Sequence, residues 1–535
     1  MRSKSVVVTG LFAVAMAASF SSTSGCGGGG GGSHFGGSSG GDGGSSSSGG
    51  SSSSSGLFGD DGGGSSSGAS SSGGTNVQCP SGTQCNVSCS GGGTTSISGK
   101  VLDPALKNGL YNVVVYVPGG PLQALPPGVP TGADKCDCGA LFKSGAVVST
   151  TTGVDGTFKL NNAPVGASVP LVLQIGKWRR AITVDTSANS CGNTTPSTPL
   201  SLPGTLAGAG PNDNMPDIAV STGDADTLEC LMRRIGLPDT EYVAGTGTTG
   251  HVHVFRGGDP GGGKGGGQVG KQEAQSTTLG TEPESDTTLW NGTGAALMPY
   301  DILLLSCEGG ETYNANPAAL ETYLNAGGRA FGSHFHYAWF SGPIGSMQSY
   351  AAPADWGNAL ATWTAGSNGT GNEANGKIVQ TLNGSTAPFP KGEAFYQWLG
   401  LVDALGVNGA PAMELPIDQP RYNAVVGPNN KPSQPWINDA TTANTMYFSF
   451  DTPVAGIPNP DGGAPSYCGR AVFSDLHVAG PVSTGGPDNP DPPTGCANID
   501  LSPQEKALEF MLFDLSSCVI PDTVAPPDGG GVTLQ

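Results

Sequence analysis

The chain has 535 residues, 22 Lys and Arg against 42 Asp and Glu, a formal charge of −20, and 90 glycines. The few basic residues are scattered and form no stripe, which argues against nucleic acid as a partner, because a face that binds its phosphate backbone needs clustered Lys and Arg. Setting aside the compositionally biased first 75 residues leaves roughly 460, too many for one hydrophobic core, so two or more domains are expected.

At the N-terminus Arg2 and Lys4 precede an apolar run over 6–18. It is long enough for an export signal and too short to span a bilayer. The run ends in Ser22-Thr23-Ser24-Gly25-Cys26, which resembles a bacterial lipobox, although Thr23 stands where that pattern has Leu. The resemblance implies a lipoprotein signal over 1–26 and a lipidated Cys26, hence an exported chain anchored to a bacterial membrane in the cell envelope. The alternative is ordinary cleavage after Ala17 or Ala18, with Cys26 left as a thiol. Residues 27–75 are almost wholly Gly and Ser, apart from His34 and a few others, and read as a disordered tether. Its typical reach is ~40 Å, enough to hold a domain clear of a membrane.

Besides Cys26 there are eleven cysteines, which in an exported chain read first as disulfides, with at least one left unpaired. Three of them lie in a Cys-rich segment over 76–93. Their spacing and the Cys136-Asp137-Cys138 pair do not match the two-pair zinc ribbon. Over 94–200, Ile97, Gly99 and Val101 alternate with polar neighbours, and Val113, Val115 and Val117 form a second period-two run. Asp155-Gly156 between two β-prone stretches predicts a hairpin. With no helical period in between, an all-β antiparallel sandwich is expected. The stretches 97–104 and 153–158 resemble the opening strand and turn of carboxypeptidase regulatory-like, or transthyretin-like, domains. That resemblance implies a spacer or binding module without catalytic residues.

A linker over 201–216 leads to a segment, 217–518, in which strand and helix patterns alternate. A strand at 218–220 is followed by a helix with Asp224 as a possible cap and Leu228, Leu231, Met232 and Ile235 on one face, stopped by Gly236. The glycine-rich loop over 257–270 carries Lys264 but lacks the ending of a phosphate-binding loop. Residues 301–306 form a continuous apolar run, the pattern of a strand buried on both faces of a parallel sheet. A helix is expected from Asn316-Pro317 to Gly327-Gly328, then a strand over 329–336. Two more strands are expected at 446–450 and 470–474. Ser502-Pro503-Gln504-Glu505 is a capping box that opens a helix, and 519–535 is a tail. The expected fold is therefore multidomain: a β-sandwich followed by an α/β domain built on an open parallel sheet.

Residues 300–309, 327–334 and 469–477 resemble the class I glutamine amidotransferase-like fold, a flavodoxin-like α/β arrangement, and above all its ThuA-like branch. On that mapping Ser333-His334 occupies the sharp strand-to-helix turn where amidotransferases carry a nucleophilic cysteine. No cysteine stands there, so the resemblance does not extend to glutamine hydrolysis. The order of signal, transthyretin-like domain and α/β domain also resembles a group of bacterial lipoproteins.

Five of the six histidines fall in three short apolar stretches, at His251 and His253, at His334 and His336, and at His477. In a strand, each His-X-His pair would put two imidazoles about 7 Å apart on one face. Strands that end in histidine within one parallel sheet deliver them to the same edge, where such sheets bind ligands. His334, His336 and His477 with Asp475 are thus the candidate catalytic residues, and the three histidines are the candidate ligands of zinc or another divalent metal. Cys307, Glu308, Tyr337, Trp339 and His253 are the candidate binding residues, with Cys307 read as a disulfide partner, for example of Cys230. Each histidine also has the plain reading of a core residue satisfied by backbone groups. Two functions stand: a cell-envelope lipoprotein that presents a His-lined pocket for a small polar or carbohydrate ligand, or a metal-dependent or acid-base hydrolase using the same histidines.

Overall fold

The computed structural model describes residues 77–525 except 224, 258–278, 312–315, 345–351, 367–368, 370–372, 461, 463–464, 478–485 and 489–490. The expected signal, Cys26, His34 and the tether lie outside the described residues, as do Asp224 and most of the glycine-rich loop.

The β-branched runs of the first part form eight strands: β1 (Ser96–Leu102), β2 (Val114–Pro118), β3 (Ala146–Thr151), β4 (Thr157–Asn161), β5 (Val169–Ile175), β6 (Trp178–Val184), β7 (Asn193–Thr194) and β8 (Leu200–Ser201). They make two sheets, ordered β4-β1-β7 with β8 also on β1, and β3-β2-β5-β6. Ile97, Val115, Val117, Phe158, Leu160, Leu171 and Trp178 are buried in the core they share. The Asp155-Gly156 turn does not close a hairpin. It carries the chain from one sheet to the other, since β3 pairs with β2 and β4 with β1. The turn is locally self-sufficient, because the Asp155 carboxylate accepts from the Thr157 N–H at 2.9 Å and its hydroxyl at 2.6 Å, so it needs no cross-strand ladder.

The second part is built on a ten-stranded sheet. Its strands are β9 (Ile218–Ser221), β10 (Tyr242–Ala244), β11 (Val252–Phe255), β12 (Ile302–Leu305), β13 (Arg329–Ser333), β15 (Ala374–Ile378), β16 (Glu414–Ile417), β18 (Ser433–Asp439), β19 (Thr445–Thr452) and β20 (Gly469–Ser474), while β14 (Thr362–Trp363) and β17 (Ala424–Val425) form a separate pair. The order is β10-β11-β9-β12-β13-β20-β19-β18-β15-β16. The first six are parallel, but β19, β18, β15 and β16 continue antiparallel, so the sheet is mixed rather than the parallel one expected. Short connections such as the one between Asp439 and Thr445 permit only antiparallel neighbours, because a parallel return needs a crossover.

Among the described residues five helices accompany the sheet: α1 (Leu228–Arg234), α2 (Pro317–Ala326), α3 (Tyr337–Ser341), α4 (Pro390–Leu401) and α5 (Pro503–Ser516). α2 starts with Pro317 in its first turn and ends at Gly327 with φ 119°, a left-handed cap that a side chain would strain. α5 opens with the expected capping box: the Ser502 hydroxyl accepts from the Glu505 N–H, and the Glu505 carboxylate accepts from the Ser502 N–H.

α5 ties the two parts together. Leu508, Met511, Leu512 and Leu515 are fully buried, each contributing about 1.5–3 kcal/mol. Phe513 packs on Trp178 and Phe510 on Tyr111, both from the first part, and one continuous core runs from Ile97 to Leu515. The segment expected to be a linker is itself integrated. Leu202 and Met215 are buried, and Arg179 and Asn214 exchange backbone hydrogen bonds at 3.0 and 2.9 Å.

Among the described residues five disulfides join Cys79–Cys85, Cys89–Cys191, Cys136–Cys468, Cys138–Cys518 and Cys230–Cys496. The third and fourth run from the first part to the second. Cys230 is therefore not the partner of Cys307, which is a free, buried thiol. No helix among the described residues is long and apolar enough to cross a membrane.

Candidate functional site

Register places the ends of the parallel strands side by side: Leu305 pairs with Ser221 and Gly332, and Ser333 pairs with Ser474. Cys307, His334 and His477 each follow one of these ends within three residues. The chain does not continue as a strand through His336, as the sequence suggested. It turns at His334, whose φ is 37°, runs through one 3-10 turn over His334–His336 and enters α3. A non-glycine residue held in this left-handed region stores strain, and such strain concentrates at functional sites. Gly332 permits the turn, since a Cβ there would meet the Phe340 ring at 2.9 Å. The Ser333 hydroxyl anchors it by donating to buried Asp226 at 2.9 Å.

The turn aims the imidazole of His334 into a cluster. Its Nδ1 lies 3.1 Å from His477 Nε2 and 3.3 Å from Cys307 Sγ, although 143 residues separate the two histidines. All three donor atoms lie within 4.8 Å of one another, and all three side chains are buried. His477 is oriented from behind, its Nδ1 standing 3.0 Å from Gln419 Oε1. That contact leaves Nε2 as the lone-pair atom that faces His334. Burial holds both imidazoles neutral, pushing His477 down to about 3 with help from the Arg421 charge, and His334 well below its usual value with help from His477 and Arg421. Burial likewise pushes the Cys307 thiol up to about 12. Nε2 of His334 meets no hydrogen-bond partner among the described residues.

These atoms could hold a metal ion. With Zn–N of about 2.05 Å and Zn–S of about 2.3 Å, tetrahedral angles require N···N of about 3.3 Å and N···S of about 3.5 Å. Two of the three donor spacings, 3.1 and 3.3 Å, fall within about 0.3 Å of those values, and the third is no more than 4.8 Å. Neutral imidazole is the ligand form of histidine, and a metal deprotonates a coordinating thiol even where burial raises its pKa.

The other expected residues are distributed around this cluster. His336 is turned away from it, with its ring against Trp339 at 4.8 Å and Nε2 3.9 Å from Glu308 Oε1, too long for a hydrogen bond. The cluster thus takes Cys307 where the sequence suggested His336. Burial pushes Asp286, which the sequence did not single out, up to about 6. It accepts from the Ser221 hydroxyl at 3.0 Å and is hydrogen-bonded to Glu308. Asp475 is fully buried and pushed up to about 8 by desolvation, but its Oδ2 is taken by the backbone N–H groups of Asn423 and Ala424, so it braces the β17 loop and is not part of the cluster. Tyr337 donates to Glu311 and accepts from the Gly366 N–H at 2.8 Å, and Trp339 packs on Trp290 at 4.5 Å. His253 lies near the start of β11, with its ring on Tyr300 and its Nδ1 3.0 Å from the Gly245 carbonyl. His251 meets Glu241 at 2.6 Å. Neither belongs to the cluster.

Gln419 and Arg421 give no sequence signal, because they lie in an aperiodic loop after β16. Pro420 bridges to Leu476, and the Arg421 N–H donates to the Asp475 carbonyl at 2.9 Å, so this loop is tied to the segment that carries His477.

No protein-family model matches the chain, and no curated protein is similar to it. Among solved structures, a cold-adapted β-galactosidase from Rahnella sp. R3 matches 51% of this chain and 30% of its own at 9% identity, with a TM-score of 0.21, too low to bear on fold or activity.

Proposed function

We propose that the ten-stranded part carries a divalent-metal centre of zinc type, ligated by Cys307, His334 and His477, and that the protein is a metal-dependent hydrolase of the cell envelope, lipid-anchored at Cys26. The observation that carries this reading is the convergence of two neutral imidazole nitrogens and a thiol at ligand spacing in a fully buried place. Three protein ligands, not four, is the pattern of catalytic zinc sites. A bound zinc ion would supply Lewis-acid polarisation of a ligand oxygen. The chain's own residues do the rest. The elbow at His334 fixes one ligand and Gln419 fixes the ring of His477.

A non-catalytic pocket for a small polar or carbohydrate ligand would use the same residues. It finds less support, because Tyr337 and Trp339, the aromatic faces that a sugar would stack on, are 1% and 3% exposed and already engaged with neighbours. Export is supported by the five disulfides, which form and persist in oxidising compartments.

Elemental analysis of the whole protein, purified without an affinity tag and dialysed against zinc, tests the reading. One zinc per chain is expected in the parent and in His253→Ala, and none in Cys307→Ser or His477→Ala. A parent that retains no metal, or a Cys307→Ser variant that retains it, refutes the centre.

A further inference from the structure

We propose that the centre takes an anionic ligand, a carboxylate or phosphate group, and that Arg421 is the residue that anchors it. This rests on the site reading above for its location and adds to it the chemical class of the ligand.

Arg470 is paired with Asp451, Asp514 and Asp522, and Arg234 with Asp488 and Glu505. In a chain with a formal charge of −20, carboxylates are plentiful. Arg421 nevertheless forms no ion pair among the described residues. Its guanidinium makes two hydrogen bonds, both from Nη1 and both to carbonyls of its own segment, Gln419 at 3.2 Å and Pro420 at 3.0 Å. Its Nε is buried and has no partner among the described residues. A guanidinium has five N–H donors in a planar fork suited to two oxygens of one oxyanion, so most of this fork is unused.

Position turns this into a site. Gln419, which orients His477, and Arg421 are two residues apart, and the Arg421 backbone is held on Asp475 two residues before His477. Pro420 pairs antiparallel with Leu476, so Gln419 and Arg421 leave the same face of the loop as His477 and Asp475. No carboxylate among the described residues lies at ion-pair distance from Arg421, although its charge favours the ionised form of Asp475. One oxygen of Asp475 is spent on two backbone N–H groups, and Glu308 and Asp286 lie toward His336 and are bonded to each other. A divalent ion at the three ligands would add to the same positive field, and the species that a cation and an unpaired guanidinium jointly select is an oxyanion. Arg421 is also only partly buried, whereas the three ligands are buried.

The test is calorimetric titration of the whole protein, zinc-loaded and zinc-stripped, with inorganic phosphate and separately with acetate. At least one anion is expected to bind the parent, the better of the two naming the class. Arg421→Met is expected to weaken that binding about tenfold to a hundredfold, the loss of charge-assisted hydrogen bonds, and Arg421→Lys, which keeps the charge but not the fork, by less. Zinc content and thermal unfolding of both variants should match the parent. Equal anion affinity in parent and Arg421→Met, or no binding of either anion to the parent, overturns the proposal while leaving the metal centre standing. If the parent holds no zinc, the metal reading fails separately, and the stripped protein still decides the role of Arg421 by the same comparison. Should Arg421→Met not fold, Arg421→Lys binding as tightly as the parent would refute the fork.

Discussion

Replacing Glu229 with glutamine should stabilise this protein, and by an amount that depends on pH. Glu229 lies on α1, is 4% exposed, and its Oε2 meets no partner among the described residues. Burial pushes its carboxyl from 4.5 up to about 8; the Asp488 and Asp226 carboxylates push the same way, while a backbone hydrogen bond and Arg234 oppose. Between these values the unfolded chain has released the proton and the folded chain still holds it, so the contribution of this group to stability falls as pH rises from about 4.5 to about 8. The gap of about 3.5 units corresponds to about 5 kcal/mol, of which about 3 kcal/mol has been lost at pH 7. Glu229→Gln keeps the shape of the protonated acid and removes the titration. It is expected to be more stable than the parent by about 3 kcal/mol at pH 7, with the advantage shrinking toward zero near pH 4.5. Urea unfolding of both proteins with the disulfides intact, at a series of pH values, measures the difference. A difference that stays constant with pH would show that Glu229 is ionised in the folded state, and the reasoning would fail.

Limited proteolysis should cut within 27–75 and leave 202–216 intact, because the latter segment buries Leu202 and Met215 and is hydrogen-bonded through Asn214; early cleavage at 202–216 would refute the shared core. Replacing Cys138 and Cys518 with serine opens a ring of about 50 residues, counted through the neighbouring Cys136–Cys468 bridge, and should lower stability by about 4 kcal/mol in chemical unfolding. No measurable loss would mean that the two bridges are redundant. Cys26→Ser should move the protein from the membrane fraction to the soluble one, as followed by fractionation and immunoblotting, and a variant that still sediments with membranes would remove the proposed anchor.

Four strands of the parallel half, β9, β12, β13 and β20, were legible because they are apolar on both faces and lie beside helices with unambiguous stops, Gly236 after α1 and Gly327 after α2, whereas β10 and β11 are not among the expected strands. From there, strand ends placed His334 and His477 together by topology alone. The antiparallel half was largely hidden: β18 contains Pro435 and β15 contains Gly376, residues that break the period-two signature. His336 was misplaced because the pattern gives no sign that the strand ends at Ser333, a fact that depends on Phe340 folding back over Gly332. Cys307 was read as a bridge partner because cysteines in an exported chain usually pair, and which one is left over depends on the partners that the fold supplies. Gln419 and Arg421 had no local pattern at all, since a loop residue is recruited by the backbone it lies against.

The two bridges that leave Cys136 and Cys138 have a consequence for biogenesis. If the chain is exported N-terminus first, as proposed, these cysteines emerge 332 and 380 residues ahead of their partners. Oxidation in order of emergence would join them to Cys89, to Cys191 or to each other, none of which is the native pairing. α5, whose Phe510 and Phe513 complete the core on Tyr111 and Trp178, also arrives among the last segments. The first part therefore cannot reach its final state while the chain is still being threaded across the membrane. Its thiols have to be kept reduced, or its bridges reshuffled, until residues near 518 appear, which makes secretion yield of this protein depend on disulfide isomerisation in the receiving compartment.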